Sequence, residues 1–260
     1  MSSENSGLKL TAAGLTDVGI IRSGNEDNYL IVPDYRLFIV ADGMGGHAAG
    51  EVASEMAVRI IAREVGNCTS VSDTEAADRM RRAIHSANGA IFQRTLKEHD
   101  KRGMGTTATA MVALRDRYLI GQVGDSRAYV LRNGSFQQLT KDHSYVQEQV
   151  DAGYLSQEEA RTHPYSNVIT RCVGANGEVV PDLYVGVLRT SDVFLLASDG
   201  LTGMIEDHDI QRILDSGKQP QAMVGDLIAE ANRRGGLDNI TAIIVKVDAV
   251  PAAGGDPTIA

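Results

Sequence analysis

The stretch LFIVADGMGGHAAGE, residues 37–51, sets the interpretation of the whole chain. It begins with five apolar residues, and a short apolar run bounded by turn residues is typical of a buried β-strand. The run ends at an acid, Asp42, and four of the next eight residues are glycine. Because glycine has no side chain, a loop of this composition leaves space beside the carboxylate. The stretch therefore predicts a core strand that presents an acid to an open loop.

Acids recur at the ends of other strand-like runs. They are Asp199 after FLLAS, Asp125 in a turn between two runs, Asp238 before the last run, and Glu26 and Asp27 before NYLIV. Any one of them could be a turn former or a helix cap. Gathered at one sheet edge, however, they would repel, since two carboxylates about 4 Å apart do so by about 4 kcal/mol at an effective dielectric of 20. A bound cation or a shared proton would relieve the repulsion.

Composition narrows the class of protein. The chain has 260 residues, 43% of them hydrophobic, and a formal net charge of −9. These values indicate one folded domain and disfavour nucleic-acid binding, which requires a basic face. The two cysteines, Cys68 and Cys172, are too far apart in sequence for a zinc motif and fit reduced thiols. The N-terminus MSSENSG lacks a signal pattern, and no apolar run approaches the ~20 residues of a membrane span. We expect a soluble, cytoplasmic protein.

The hydrophobic pattern predicts an α+β fold in which helices cover antiparallel sheets. Asn133-Gly134 is a hairpin signal, and Ser72 with Glu75 and Ser156 with Glu159 are capping boxes. Helical periodicity occurs in residues 49–65, 75–98 and 221–234. The strand-like runs are 8–14, 28–32, 37–41, 106–114, 117–123, 127–131, 182–188, 192–198 and 240–247.

The boundaries of the domain follow from the same pattern. We expect a single domain over residues 8–248, with a disordered tail at 249–260 that is small-residue and Pro/Gly-bearing. Residues 142–179 have helix caps but little strand pattern, and we expect an inserted surface subdomain there. No internal repeat is evident.

The donor set indicates the kind of metal. Carboxylate oxygens without cysteine suit Mg²⁺ or Mn²⁺ rather than Zn²⁺. An aspartate shared by two such ions would create a binuclear site of the kind that activates water for attack on phosphorus. Arg22, three residues before the NED triplet, could hold phosphate oxygens in a bidentate fork. The alternative for Arg22 is an ordinary surface arginine in a loop.

Eight motifs in order resemble those of the type 2C metal-dependent protein serine/threonine phosphatases of bacterial type. They extend over residues 10–247 and are TDVGIIRSGNEDNYL, FIVADGMGGHAAGEVAS, MGTTATAMV, IGQVGDSRAYVLRNG, QLTKDHS, HPYSNVITRCVG, LLASDGL and DNITAIIV. DGMGGH alone would be suggestive, whereas the ordered set is specific. The resemblance implies a four-layer α-β-β-α sandwich of two antiparallel sheets flanked by helices, with the 142–179 segment as a flap beside the active site.

The resemblance also implies ligands for two core ions, Mn²⁺ or Mg²⁺. Asp42 matches the aspartate that bridges both ions, and Gly43 would contribute its backbone carbonyl. Asp199 and Asp238 match the other ligands of the first ion. Glu26 matches a ligand near the second ion.

Further roles carry over in the same way. Asp27 would hold metal-bound water, and Arg22 would bind the phosphoryl group. Asp125, with the carbonyl of Gly124, matches the site of a third, weakly bound ion in bacterial-type members.

The chain differs from many eukaryotic family members at the position proposed for the general acid. Many eukaryotic relatives carry histidine two residues after the bridging aspartate, but this chain has Met44 there, which cannot donate a proton. His47, three residues further on, could protonate the leaving group, orient water or support the loop. A metal-bound water at the third site is an equal candidate for the acid.

The implied activity is hydrolysis of phosphoserine or phosphothreonine by a metal-activated water without a covalent intermediate. The implied partners are phosphoproteins and a cognate serine/threonine kinase, and we expect a monomer. Two alternatives remain open: a phosphodiesterase or small-molecule phosphatase using the same site, and an inactive phosphoprotein-binding regulator. The second predicts missing ligands, and the chain lacks none of the expected acids.

Overall fold

The structure is a computed structural model that describes residues 7–45 and 49–251. Within these residues the β-strands are β1 Lys9–Asp17, β2 Asn28–Val32, β3 Leu37–Ala41, β4 Gly43–Met44, β5 Gly105–Thr106, β6 Ala108–Ala113, β7 Arg117–Val123, β8 Arg127–Arg132, β9 Ser135–Gln138, β10 Asp182–Val187, β11 Val193–Ala197 and β12 Ile240–Ala249. The α-helices are α1 Ala49–Val65, α2 Asp73–Lys97, α3 Tyr145–Asp151, α4 Gln157–Arg161, α5 Asp199–Thr202, α6 Asp207–Leu214 and α7 Pro220–Arg233.

Two five-stranded antiparallel sheets form the centre of the fold. Their strand orders are β1-β12-β11-β8-β9 and β10-β7-β6-β3-β2, and β4 pairs separately with β5. One apolar cluster lies between α1, α2 and the second sheet, another lies between the two sheets, and a third lies between the first sheet and α5–α7. The layers therefore run helix, sheet, sheet, helix, which confirms the predicted α-β-β-α sandwich.

Strand β3 shows why the opening stretch is apolar at every position. Leu37 and Ile39 pack in the cluster below α1 and α2, whereas Phe38 and Val40 pack in the cluster between the sheets. All five residues of β3 are buried. A strand covered on both faces needs apolar side chains at every position, and this produces a continuous run instead of an alternating one.

The predicted run 106–114 was wrong in one respect, because it is interrupted at Thr107. The Thr107 N–H leaves the strand ladder and donates to the Asp42 carbonyl at 2.8 Å. The Thr107 hydroxyl oxygen accepts from the Asp42 N–H at 2.9 Å. The interruption separates β5 from β6 and fixes the backbone of the acid that ends β3.

Turn and cap predictions had mixed outcomes. Asn133 and Gly134 adopt positive φ values of 50° and 76° in the tight turn between β8 and β9, as predicted. The capping box at Ser156 is complete. At Ser72 only half of the box forms, because the Ser72 hydroxyl accepts from the Glu75 N–H while the Glu75 carboxylate pairs with Arg79.

The 142–179 segment contains α3 and α4 and is anchored at both ends. At its start, Arg127 forms a bidentate ion pair with the buried Asp142, with a shortest distance of 2.7 Å. Beside its end, Arg171 donates to Asp182 at 2.8 Å. Bridges between Thr106 and Val173 and between Ser144 and Ile169 add backbone pairing.

The ends of the chain complete the description. Strand β12 continues to Ala249, and residues 252–260 of the predicted tail lie outside the described residues. In residues 7–45 and 49–251, no helix combines the length and apolar character needed to cross a bilayer.

Candidate metal centre

Strand ends from both sheets meet at one cavity. Asp42 follows β3 of the second sheet, whereas Asp199 follows β11 and Asp238 precedes β12 of the first sheet. Asp125 lies in the turn from β7 to β8, which connects the two sheets. The cavity has a volume of about 580 Å³, and the predicted site residues in its wall are Arg22, Glu26, Asp42, Gly43, Asp125, Asp199 and Asp238.

The backbone around Asp42 is fixed while its side chain stays available. Besides the two bonds with Thr107, the Thr106 hydroxyl donates to the Asp42 carbonyl at 2.8 Å. The neighbouring Gly43 lies against the backbone carbonyls of Glu26 and Gly50, where a Cβ would overlap both oxygens. The glycine is therefore required because three backbone segments approach closely, and this approach brings Glu26 next to Asp42.

Glu26 is positioned by contacts to its backbone. The Glu26 carbonyl accepts from the Gly43 N–H at 3.1 Å and from the Ser54 hydroxyl at 2.5 Å. The Glu26 N–H donates to the side-chain oxygen of Asn239 at 2.8 Å. The Asn239 amide nitrogen also donates to the carbonyls of Val18 and Gly24, both at 2.9 Å. Asn239 thus ties the loop before β2 to the start of β12.

Asp27 lies beneath the cavity and is 4% exposed. The Ser198 hydroxyl donates to its Oδ2 at 2.7 Å and accepts from the Thr241 N–H at 3.0 Å. Its Oδ1 is buried without a hydrogen-bond partner. Burial raises the pKa of Asp27 to about 7, and repulsion from Asp199 and Asp238 adds to the shift. A buried carboxylate oxygen without a donor is a strong acceptor for a cation or for water bound to one.

The pKa values of Asp42 and Asp125 are also raised. Burial, followed by repulsion from Asp27, Asp199 and Asp125, raises the pKa of Asp42 well above its usual value. Burial and then repulsion from Asp199 do the same to the pKa of Asp125. The interaction between the Asp42 and Asp199 side chains acts in opposite directions, raising the pKa of Asp42 and lowering that of Asp199 against the effect of burial. A proton shared between two such carboxylates would be the alternative to a cation.

The donor chemistry fits divalent metal ions. The acids present only oxygen atoms, and their mutual repulsion would be neutralised by positive charge. In the side-chain arrangement of the described residues, no three acid, histidine or cysteine groups converge closely enough to ligate one ion. One of the acids is paired with Arg22, which donates to Asp238 at 2.7 Å.

In the turn around Asp125, the Gly124 carbonyl has two hydrogen-bond donors. The Gly124 carbonyl accepts from the His143 N–H at 2.9 Å and from the Gln122 amide at 3.0 Å. In return, the Gly124 N–H donates to Nδ1 of His143 at 3.0 Å. Both lone pairs of the carbonyl are thus used, so the Asp125 carboxylate is the more available donor in this turn.

Nδ1 of His143 is an acceptor, so its neutral ring carries the proton on Nε2, which lies 3.2 Å from Asp182. This ring joins the flap to the turn that carries Asp125. The motif QLTKDHS contains His143, but nothing in the neighbouring sequence indicates which backbone group its imidazole will contact.

Three further residues of the site have no role assigned from the sequence, and one predicted residue lies outside the described chain. Asn167, on the flap, lines the cavity wall, and Ser198 and Asn239 support the acids from below. Ser198 and Asn239 are next to the predicted ligands Asp199 and Asp238 in the motifs SDG and DNIT. This adjacency is the sequence feature from which a supporting role could be inferred. His47 lies outside the described residues.

The fold and the cavity together define the class of protein. The chain superimposes on a serine/threonine phosphatase of S. agalactiae with a TM-score of 0.86 at 40% identity, covering 92% of this chain and 100% of that one. A solved catalytic domain of the phosphatase PstP, in complex with two manganese ions, matches with a TM-score of 0.83 at 37% identity, covering 92% and 99% of the two chains.

The sequence comparisons agree. The profile of the family described as protein phosphatase 2C matches residues 23–228. The serine/threonine phosphatase stp of Listeria monocytogenes is 41% identical over 237 residues, which cover 90% of this chain and 94% of that protein. The chain belongs to the protein phosphatase 2C family, and the family expected from its motifs is confirmed.

Proposed function

We propose that this protein is a metal-dependent serine/threonine protein phosphatase that uses water as the nucleophile and forms no covalent intermediate. The observation that carries the proposal is the convergence of four acids from separate strand ends on one cavity that also contains Arg22. The names of the relatives, serine/threonine phosphatases from Listeria and S. agalactiae, support phosphoproteins as substrates.

The carboxylates divide into ligands and supporting groups. Asp42 would bridge two ions, because it shares the cavity wall with Glu26, Asp199 and Asp238 and has the Gly43 carbonyl beside it. Asp199 and Asp238 would complete the first site, and Glu26 would contribute to the second. Bound divalent ions would supply a Lewis acid that lowers the pKa of water enough for hydroxide to exist near neutral pH.

Two further acids would act around these ligands. Asp27, with one oxygen held by Ser198 and the other without a donor, would accept a hydrogen bond and orient the group that gives it. Asp125 would hold a third ion. The manganese complex of PstP supports Mn²⁺ as the metal, and two core ions with a third bound more weakly remain our proposal.

Arg22 would receive the phosphoryl group. Its guanidinium lines the cavity and is held by Asp238, which leaves further N–H donors for phosphate oxygens. Fixed positive charge at this point favours the transition state, in which negative charge is spread over the phosphoryl oxygens.

Cysteine chemistry does not fit the site. Neither Cys68 nor Cys172 lines the cavity, and Cys68 is buried. Burial raises the pKa of both thiols, which favours the protonated, unreactive form. This supports the proposal that water is the nucleophile.

The proposal is tested with phosphoserine and phosphothreonine peptides, in Mn²⁺ and then in excess chelator. We expect hydrolysis in Mn²⁺ that the chelator abolishes and okadaic acid leaves intact. Preference for cyclic nucleotides or sugar phosphates would indicate the small-molecule alternative. Binding of phosphopeptides without hydrolysis of them or of p-nitrophenyl phosphate would indicate the inactive regulator. A cognate kinase, the monomeric state and the cytoplasmic location remain predictions.

A further inference from the structure

Three large aliphatic side chains are exposed at the edge of the candidate metal centre. Ile20 is 65% exposed, Ile21 66% and Leu237 56%. Single exposed apolar residues are ordinary on protein surfaces, whereas an adjoining group of them indicates a contact surface. Ile20, Ile21 and Leu237 are called the apolar rim below.

The backbone of the apolar rim is held in place. The Gly236 carbonyl accepts from the N–H groups of Ile20, at 2.8 Å, and Ile21, at 3.3 Å. Gly19 has a φ of +80°, and a Cβ there would overlap the carbonyl of Asp238. The segments 19–21 and 236–238 are therefore packed backbone to backbone. The backbone that carries the rim is therefore already ordered, which lowers the entropy cost of binding.

The apolar rim is continuous with the catalytic cavity. Ile21 directly precedes Arg22, and Leu237 directly precedes Asp238, the two residues joined by the 2.7 Å ion pair. Leu237 also lines a second cavity of about 410 Å³, whose wall shares Arg22, Asp199 and Asp238 with the first. A polypeptide with its phosphate at Arg22 would therefore have neighbouring residues within reach of these aliphatic side chains.

We propose that the apolar rim binds an aliphatic or aromatic side chain of the phosphoprotein substrate, two or three residues from the phosphorylated position. Two to three residues of extended chain span about 7–10 Å. Ile21 and Ile20 are one and two residues from Arg22, so their Cα atoms lie no more than about 7 Å from that of Arg22. The proposal rests on the proposed function and adds a sequence preference to it.

A substrate segment fits the apolar rim better than a second copy of the chain does. Stable protein interfaces bury about 800 Å² on each partner, which is far more than three side chains provide. One apolar side chain of a bound peptide needs only a small surface of this kind. The apolar rim adjoins Arg22, which we propose binds the phosphoryl group, so the rim is next to the bound substrate.

The experiment uses the full chain in Mn²⁺ and a panel of phosphothreonine peptides. The parent peptide has alanine at every flanking position, and each derivative has one leucine, placed in turn at the three positions on either side. We expect leucine two or three residues from the phosphothreonine to raise kcat/KM by about fivefold, as partial burial of one side chain would. In the double variant Ile20→Ser, Leu237→Ser, the ratio of kcat/KM for the leucine peptide to kcat/KM for the parent peptide should fall to near one.

The parent peptide measured on the same variant is the internal reference, so a general loss of activity cancels from the ratio. Val187→Ser is the matched control, because Val187 is also half exposed but lies at the end of β10 that pairs with the start of β7. This control should keep the wild-type ratio.

The proposal is overturned if leucine has no effect at any position, or if its effect survives in the double variant. A change of oligomeric state in the double variant, with the ratio unaltered, would also overturn it and assign the rim to a second copy. If the wild-type protein hydrolyses none of the peptides, the proposed function itself fails, and the two failures are thereby distinguished.

Discussion

The Arg22 guanidinium donates a 2.7 Å hydrogen bond to the carboxylate of Asp238, which lies 216 residues further along the chain. Both side chains are partly exposed, at 54% and 35%, so this ion pair contributes little to the free energy of unfolding. Its effect is local. Among the residues that the structure describes, Arg22 is the only arginine that borders both cavities, and the ion pair holds it against an acid that we assign to the first metal ion.

Replacing Arg22 should weaken substrate binding more than folding. We expect Arg22→Ala to raise KM for phosphopeptides by about tenfold or more, since charge-assisted hydrogen bonds contribute about 1.5–3 kcal/mol each. Arg22→Lys should recover part of the loss, because a lysine keeps the charge but not the bidentate geometry. Steady-state kinetics provide the measurement. An unchanged KM in Arg22→Ala would contradict phosphate binding by this residue.

The control for this experiment is Arg115→Ala. Arg115 is exposed and lies in the turn between β6 and β7, at the end of β7 opposite to Asp125. Its removal alters the net charge of the protein by the same amount without changing the cavity. KM should stay at the wild-type value.

Much of the sandwich could be predicted because its central strands, such as β3, β6 and β11, are buried on both faces. The predicted bounds of β2, β3 and β7 agree with the structure to the residue. Continuous apolar runs such as LFIVA have sharp ends where the chain leaves the core, so the acid at position 42 could be assigned to a strand end from the pattern alone.

The contacts that support the acids could not be predicted in this way. Ser198 bonds to Asp27 across 171 residues, and Asn239 bonds to Glu26 across 213. Such hydrogen bonds depend on how the two sheets pack, and a local pattern carries no information about it. The half-formed capping box at Ser72 is a related case, because the carboxylate of Glu75 had a competing partner in Arg79.

Asp42 should be essential for turnover but not for folding. We expect Asp42→Ala and Asp42→Asn to keep less than a tenth of the wild-type kcat, a loss of more than about 1.4 kcal/mol in transition-state stabilisation. Because burial and repulsion raise the pKa of Asp42, Asp42→Asn removes an unfavourable charge. In chelator at about pH 8, its melting temperature should equal or exceed that of the wild type. A variant with more than a tenth of kcat would argue against the bridging role.

Replacing Asp125 should slow catalysis without abolishing Mn²⁺ binding at the two core sites. We expect Asp125→Ala to slow turnover while calorimetry with Mn²⁺ still detects the two tightest binding events. Loss of those events would refute the assignment of Asp125 to a third ion. Asp116→Ala is the control: this exposed acid lies in the β6–β7 turn and should change neither quantity.

The stability of the protein should depend on pH through the buried acids. The pKa of Asp27 is raised from 3.8 to about 7, so the folded chain keeps a proton that the unfolded chain releases at lower pH. Between these two values the unfolded state binds fewer protons than the folded state, and stability therefore falls as pH rises. Divalent ions act in the opposite direction, since they bind the ionised carboxylates of the folded state.

In chelator, the melting temperature should therefore fall as pH rises from 3.8 to about 7 through Asp27, and the raised pKa values of Asp42 and Asp125 should continue the fall toward higher pH. Mn²⁺ at about 100 times its dissociation constant should stabilise the protein by about 2.7 kcal/mol, which corresponds to about 5–10 °C for a chain of this size. The increase should be larger at pH 8 than at pH 5, where protons compete for the same oxygens. Asp27→Asn should flatten the profile in chelator. Thermal melts at each pH provide the measurement, and a melting temperature that rises with pH in chelator would contradict the raised pKa.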